Sequence, residues 1–280
     1  MVRFIAHLLF GAILSASAAP SEAARVASLN PGLTELMVAL DLADTLVAIS
    51  DYCTAPESNH LVRVGTELTP NTEGLLASRP SHVLTGKSLS QKRVPLLSKT
   101  QHLSLPITTA SEVRDAIMTL AETFGREEKA AKVLKRLDAA LHQAPQKYSR
   151  VLVVAGISQH QTSQLYLMNP KSLHGDLLEA AGFKLIPSPV RSRSWVIGPE
   201  KLLRLNPDLI IVLDPSARDG ATQSSYMTAF NPLQQVASRA TGDVIYLTDP
   251  ALSSMGIGAL GLRAAAIDAL STIKARADVD

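Results

Sequence analysis

The chain has 280 residues, of which 46% are apolar and 19% charged, with 15 glycines and 16 prolines, a profile that excludes disordered, collagen-like and fibrous classes. Its length suits two modest domains or one large one, each able to bury a core of its own. The formal charge is only +2 and no block of five like charges occurs, so the electrostatic footprint of a nucleic-acid-binding protein is missing.

Met1, Val2 and Arg3 precede an apolar run from Phe4 to Leu14, and small residues follow through Ala16, Ser17 and Ala18. Residues 1–18 therefore read as a secretory signal peptide cut after Ala18, with Ser21-Glu22-Ala23 as a later alternative. The run is shorter than the ~20 residues a membrane span requires. Cys53 is the single cysteine, which rules out an intramolecular disulfide and leaves none near the cleavage site to carry a lipid. The expected location is a periplasm.

Arg25 to Leu29 predicts a buried first strand, and Asn30-Pro31 before Leu33, Leu36, Met37 and Leu40 predicts the start of a helix. Further strands are expected at Leu46 to Ile49, Ser81 to Thr85 and His102 to Leu105, which makes residues 24–125 an α/β lobe. From Ser111 to Ala144 apolar residues recur every three or four positions, the helical period, and Gly125 divides the run in two. The second helix, from Arg126 to about Ala144, would be about 28 Å long at 1.5 Å per residue. It reads either as a solvated surface helix or as a stiff connector over residues 126–147.

Strands resume at Arg150 to Val154, Asp208 to Leu213 and Asp243 to Leu247, with helices expected at Ser172–Ala181, Pro199–Leu205 and Gly258–Arg276. Residues 148–280 thus form a second α/β lobe. The halves resemble one another. The stretch Glu73 to Pro80 recurs as Glu200 to Pro207, Arg25-Val26 recurs as Arg150-Val151, and Glu35 to Ala39 compares with Asp176 to Ala180.

Signatures of chemistry are sparse. Gly256-x-Gly258-x-x-Gly261 has the letters of a dinucleotide fingerprint, but too little chain follows it to close a βαβ unit, so it is expected to be a small-residue helix start. The histidines are scattered without metal-ligand spacing, no Gly-x-Ser-x-Gly elbow occurs, and Cys53 has no sequence partner to activate it. No enzyme, cofactor or resident metal is expected. Side chains suited to holding a large polar molecule remain. Tyr52 follows a strand, and Arg191, Arg193 and Trp195 cluster in what reads as a loop, offering guanidinium forks and the one indole. Trp195 either packs in a core or stacks on a ligand. Glu73 and Glu200, near the helix starts marked by Pro70 and Pro199, either offset a helix dipole or make two matched acidic contacts with a basic partner.

The opening Arg25 to Pro31 with Thr34-Glu35, Tyr52-Cys53 with Pro56, the Glu73 to Pro80 segment, Gly125 to Glu128, and Glu200 to Leu213 resemble the landmarks of one family. That family is the helical-backbone periplasmic binding proteins of ABC importers for iron complexes and vitamin B12. The resemblance covers the mature chain and implies two Rossmann-like α/β lobes joined by a single long helix, with a ligand cleft between them and no catalysis. It implies a monomer that captures a metal chelate and delivers it to a dimeric membrane permease, Glu73 and Glu200 docking one lobe each onto permease arginines. Tyr52 and Trp195 match cleft-lining positions. Arg191 and Arg193, with Lys87 and Arg93 across the cleft, suit an anionic ferric siderophore, the first expectation for the ligand. Cobalamin ranks second because Glu67 stands where the B12 binders have a second Trp, and haem third because residues 64–72 hold no Tyr for the iron. A periplasmic enzyme or a metal-binding protein on the same scaffold is the alternative class.

Overall fold

Val26–Ser28 (β1) carries small and branched side chains only, and all three residues are buried, as a central parallel strand covered on both faces requires. Asn30 then stops the strand and starts helix Pro31–Ala39 (α1): its side chain accepts from the amides of Gly32 and Leu33, and Pro31 takes a position where a helix needs no amide donor. Strands Leu46–Ile49 (β2) and Val62–Arg63 (β3), helix Thr72–Ala77 (α2), and strands His82–Thr85 (β4) and Gln101–Ser104 (β5) complete the first unit. Its sheet has the order β3-β2-β1-β4-β5, with every pairing parallel. The computed structural model describes residues 23–55, 61–86, 100–145, 148–157, 164–190, 194–218, 224–226 and 243–277. The expected signal peptide lies outside them.

The link to the second sheet is a pair of helices divided at Gly125, as the sequence predicts. Ala110–Phe124 (α3) opens with a reciprocal cap between Thr109 and Glu112 and ends at Gly125, whose φ of 64° is left-handed. Glu127–Ala140 (α4) follows and stops well short of 147. Pro145 bars the helix from running on to 147, because a proline disfavours helical backbone in the residue before it. At its start Lys129 pairs with Asp41 beyond the end of α1, and past its end Ala144 donates to the Ala180 carbonyl at 2.8 Å. The helix thus bridges from one sheet's flank to the other's.

The second sheet is built from Tyr148–Ile157 (β6), Leu165–Met168 (β7), Phe183–Leu185 (β8), Ser194–Ile197 (β9), Leu209–Leu213 (β10) and Asp243–Leu247 (β11). Its order is β11-β10-β6-β7-β9, with β8 paired to the first half of β6. The pairings of β6 with β10 and β10 with β11 are parallel, whereas those of β6 with β7 and β7 with β9 are antiparallel. Trp195, expected in a loop, lies in β9, a four-residue strand too short to register as a pattern between Pro189 and Pro199. Helices Leu173–Ala180 (α5), Pro199–Leu205 (α6) and Leu262–Ala277 (α7) cover this half. The expected helix from Gly258 begins as a 3-10 segment, Ile257–Gly261, and becomes α-helical at Leu262.

One core joins the halves: Leu33, Met37 and Ile107 belong to the same buried cluster as Leu173, Leu252 and Ala259. No helix among the described residues is long and apolar enough to cross a membrane.

Candidate strand-end cleft

In the first sheet the chain steps from β1 outward to β2 and β3, then returns to the other side of β1 as β4. The carboxyl ends of β1 and β4 therefore flank a topological switch point, the place where open α/β sheets bind ligands. Asn30 follows β1 there and Gly86 follows β4.

Between them comes a third residue. A turn from Gly65 to Pro70 is closed by a backbone bridge and by the hydroxyls of Thr66 and Thr69, 2.9 Å apart. Gly65 has φ 74°, and a Cβ there would lie 2.6 Å from the Thr69 carbonyl, so only glycine makes this turn. Glu67 at its tip accepts from Asn30 Nδ2 at 2.8 Å through Oε2. The other oxygen, Oε1, is buried and has no hydrogen-bond partner. A Cβ on Gly86 would come within 2.9 Å of Asn30 Nδ2 and 3.2 Å of Glu67 Oε1, so glycine is what leaves room for this carboxylate. A buried acceptor left unmatched costs about 1–3 kcal/mol, and a donor arriving from outside recovers it.

The loop carrying Tyr52 is fixed to the same turn. Asp51 donates to the Gly65 carbonyl at 2.7 Å, and Arg63 Nη1 reaches the carbonyls of Ser50, Asp51 and Cys53 at 3.1, 2.9 and 3.2 Å. Tyr52 itself is 74% exposed, an unusual cost for a ring held on so well anchored a loop. Trp195 has different surroundings. It is buried against Leu167 of β7 in the core of the second sheet, lines a pocket of about 530 Å³ with Val190, Gly198 and Lys201, and leaves its Nε1 without a partner. Deeper in that core Tyr226 donates to Asp214 at 2.5 Å, and burial first, then Asp214, pushes its hydroxyl above the usual range. Lys87, Arg93, Arg191 and Arg193 lie outside the described residues.

Glu73 and Glu200 take equivalent places. Each is exposed in the first turn of a short helix, α2 and α6. Asn71, not Pro70, caps the first of these, accepting from Gly74, while Pro199 opens the second as expected. The glycine-rich stretch 256–261 is packed on α1. A Cβ on Gly256 would stand 2.6 Å from Glu35 Oε2 and 2.9 Å from the Gly32 carbonyl. Among the described residues no three His, Cys, Asp or Glu side chains are grouped to hold a metal ion.

Residues 26–251 match the family described as periplasmic binding protein. The chain belongs to that family. As a periplasmic binding protein it is 26% identical, over 207 residues, to the vitamin B12-binding protein of Yersinia pseudotuberculosis serotype O:3 (strain YPIII), a match covering 71% of this chain and 73% of the relative. Its fold is that of the periplasmic haem-binding protein HutB of Vibrio cholerae, at TM-score 0.71 and 19% identity, over 89% of this chain and 99% of the other. The periplasmic vitamin B12-binding protein BtuF of Vibrio cholerae superposes with TM-score 0.68 and 19% identity, over 89% and 97%. Staphylococcus aureus IsdE, solved with haem, does so at 0.67 and 20%, over 88% and 98%. This binding protein thus shares the two-sheet architecture of these solved binding proteins.

Sequence reading took Asn30 only as a helix start, passed over Gly86, and weighed Glu67 only as a missing tryptophan. The available signal was positional: Asn and Gly each directly follow a predicted strand.

Proposed function

We propose that this binding protein captures a metal chelate in the periplasm and passes it to an ABC permease, and that the chelate is a corrinoid of the cobalamin class. The observation that carries the ligand class is Glu67, whose buried Oε1 lacks a donor at the switch point. A corrin ring is fringed with neutral amide N–H groups, which match such an acceptor. Ferric catecholate and hydroxamate chelates present oxygens, which a carboxylate repels. The relatives named as vitamin B12-binding proteins support the same choice. On this reading residues 24–125 and 148–280 are the lobes, Tyr52 and Trp195 border the ligand, and Glu73 and Glu200 meet permease arginines. The protein acts as a monomer without catalysis, reaching the periplasm once residues 1–18 are removed.

A ferric siderophore is the second reading, favoured by the cationic side chains Lys87, Arg93, Arg191 and Arg193 in the sequence. One titration separates the two. The purified protein is mixed with cyanocobalamin, ferric siderophores and haem, following Trp195 fluorescence and checking stoichiometry by native mass spectrometry. One-to-one binding of cyanocobalamin, weakened about tenfold or more by Glu67→Ala (about 1.4 kcal/mol), is the expected result. Tight binding of a ferric chelate, indifferent to Glu67, overturns the corrinoid assignment.

A further inference from the structure

The two acid-bearing helices are too short to stand alone. Helix α2 has six residues and α6 seven, whereas isolated helices below roughly 12–15 residues are marginal in water. Something outside each must hold it, and the same residue type does so in both halves. Arg25 donates from Nη2 to the Ser78 carbonyl at 2.7 Å and from Nε to the Arg79 carbonyl at 3.1 Å, past the end of α2. Arg150 donates from Nη2 to the Leu205 carbonyl and from Nε to the Asn206 carbonyl at 2.8 Å, at the end of α6. The correspondence extends to the backbone. Arg79 and Asn206 both take left-handed conformations, with φ 45° and 42°. The amide of Ser81 bonds the Arg25 carbonyl at 2.8 Å, as that of Asp208 bonds Arg150 at 3.0 Å. Arg25 directly precedes β1 and Arg150 lies in the first third of β6, the central strands of their sheets, so each clamp ties a surface helix to the middle of its sheet.

We infer that Arg25 and Arg150 are positioning residues of the permease-docking surface, each fixing the helix that presents Glu73 or Glu200. This rests on the docking role proposed above for those glutamates. A guanidinium at a helix C-terminus satisfies carbonyls that have no intrahelical donor and favours the negative end of the dipole. The two helices depend on it unequally. Helix α2 also has the Asn71 cap at its start, whereas the α6 cap position, Gly198, offers no side chain. Loss of Arg150 therefore frees its glutamate more than loss of Arg25 does.

The test measures the affinity of the protein for its cognate permease dimer in nanodiscs, alongside its affinity for cyanocobalamin and amide hydrogen exchange across 72–77 and 199–205. Arg150→Ala should weaken docking about tenfold and speed exchange in 199–205 only, Arg25→Ala should weaken docking less, and cyanocobalamin affinity should stay within about twofold. Arg150→Lys, which keeps a donor for the same carbonyls, should restore most of the docking. Wild-type docking by both alanine variants, while Glu73→Ala/Glu200→Ala docks poorly, overturns the positioning role and leaves the docking reading intact. Equal losses of docking and of cyanocobalamin affinity also overturn it, by making the arginines general stabilisers. Normal docking by the double glutamate variant removes the docking reading, and the inference with it.

Discussion

Glu35 and Asp176 do the same work from opposite halves of the molecule. Glu35, on α1 of the first unit, accepts the Gly258 amide at 3.0 Å and the Ser254 hydroxyl at 2.6 Å, at the entry to α7. Asp176, on α5 of the second, accepts the Ala110 amide at 2.8 Å, at the entry to α3. Each half thus caps the helix that follows the last strand of the other, and backbone donors that no helix satisfies internally are matched across the boundary. Glu35→Ala should cost about 1–3 kcal/mol in a urea-unfolding measurement, because an amide and a hydroxyl lose their acceptor together. Asp176 differs, since burial raises its carboxyl above the usual range and the Ala110 amide only partly offsets this. A raised folded pKa means the charged form costs stability at neutral pH, and that cost fades as pH falls through the folded value. Asp176→Asn, which keeps an acceptor and loses the charge, should therefore be as stable as the parent or more so at neutral pH. A loss as large as that of Asp176→Ala would refute this account.

The same boundary makes Gly256 irreplaceable through space, not conformation. Its φ of −112° suits any residue, but its missing Cβ is where Glu35 Oε2 and the Gly32 backbone approach. Gly256→Ala must push α1 away from residues 255–258, and the expected destabilisation is about 1–3 kcal/mol. Gly125→Ala is the contrast: a Cβ there meets nothing within 4 Å, so its smaller cost reflects only the left-handed backbone. Thermal unfolding of the two variants in parallel distinguishes crowding from conformation.

His174 should give the protein a stability loss in mild acid. It is fully buried in α5, 3.0 Å from the Leu252 carbonyl through Nε2, with Nδ1 unpartnered, so the ring is neutral with its proton on Nε2. Burial lowers its pKa from 6.5 to about 4, more than the backbone hydrogen bonds at Leu252 and Ser254 raise it. Between those values the unfolded chain takes up a proton that the folded one refuses, so stability falls as pH drops from 6.5 to 4 and this contribution is constant below. The full effect is about 3 kcal/mol at 1.36 kcal/mol per unit. His174→Gln can still donate to Leu252 and should flatten the profile in that window. An unchanged slope would mean that other groups cause it.

Much of this architecture is legible in the chain because its signals are local. Asn30-Pro31 marks a helix start by capping chemistry, Gly125 marks a helix end, and the runs at Leu209 to Leu213 and Val151 to Val154 are apolar because both faces of their strands are covered. The internal repeat was legible for the same reason, since the Arg25 and Arg150 clamps and the two proline-ended helices recur as residue types at nearly constant spacing. What escaped was set by distant partners. Trp195 sits in a strand defined by pairing with β7, not by its own four residues. Glycines 256 and 258 answer to a carboxylate more than 200 residues earlier in the chain. Glu67 acquires its buried, half-matched carboxylate only once the ends of β1 and β4 are brought beside it, information no window around residue 67 contains.

Trp195 packs in the core of the second sheet, one of the two roles its sequence context allowed, and one substitution tests the other. Its ring is buried with Leu152, Val154 and Leu167, so Trp195→Ala should cost about 3–5 kcal/mol by leaving a cavity, and any loss of binding would be confounded by poor folding. Trp195→Phe keeps an aromatic ring in that core and removes the Nε1 donor, which lacks a partner at the border of the pocket with Lys201 and Val190. Its expected stability cost is under about 1.5 kcal/mol. If Nε1 serves the ligand, titration calorimetry with cyanocobalamin should give a several-fold weaker complex despite the intact fold, because a charge-free hydrogen bond contributes about 0.5–1.5 kcal/mol. Unchanged affinity would assign Trp195 to packing alone and leave Tyr52 as the ring that faces the chelate.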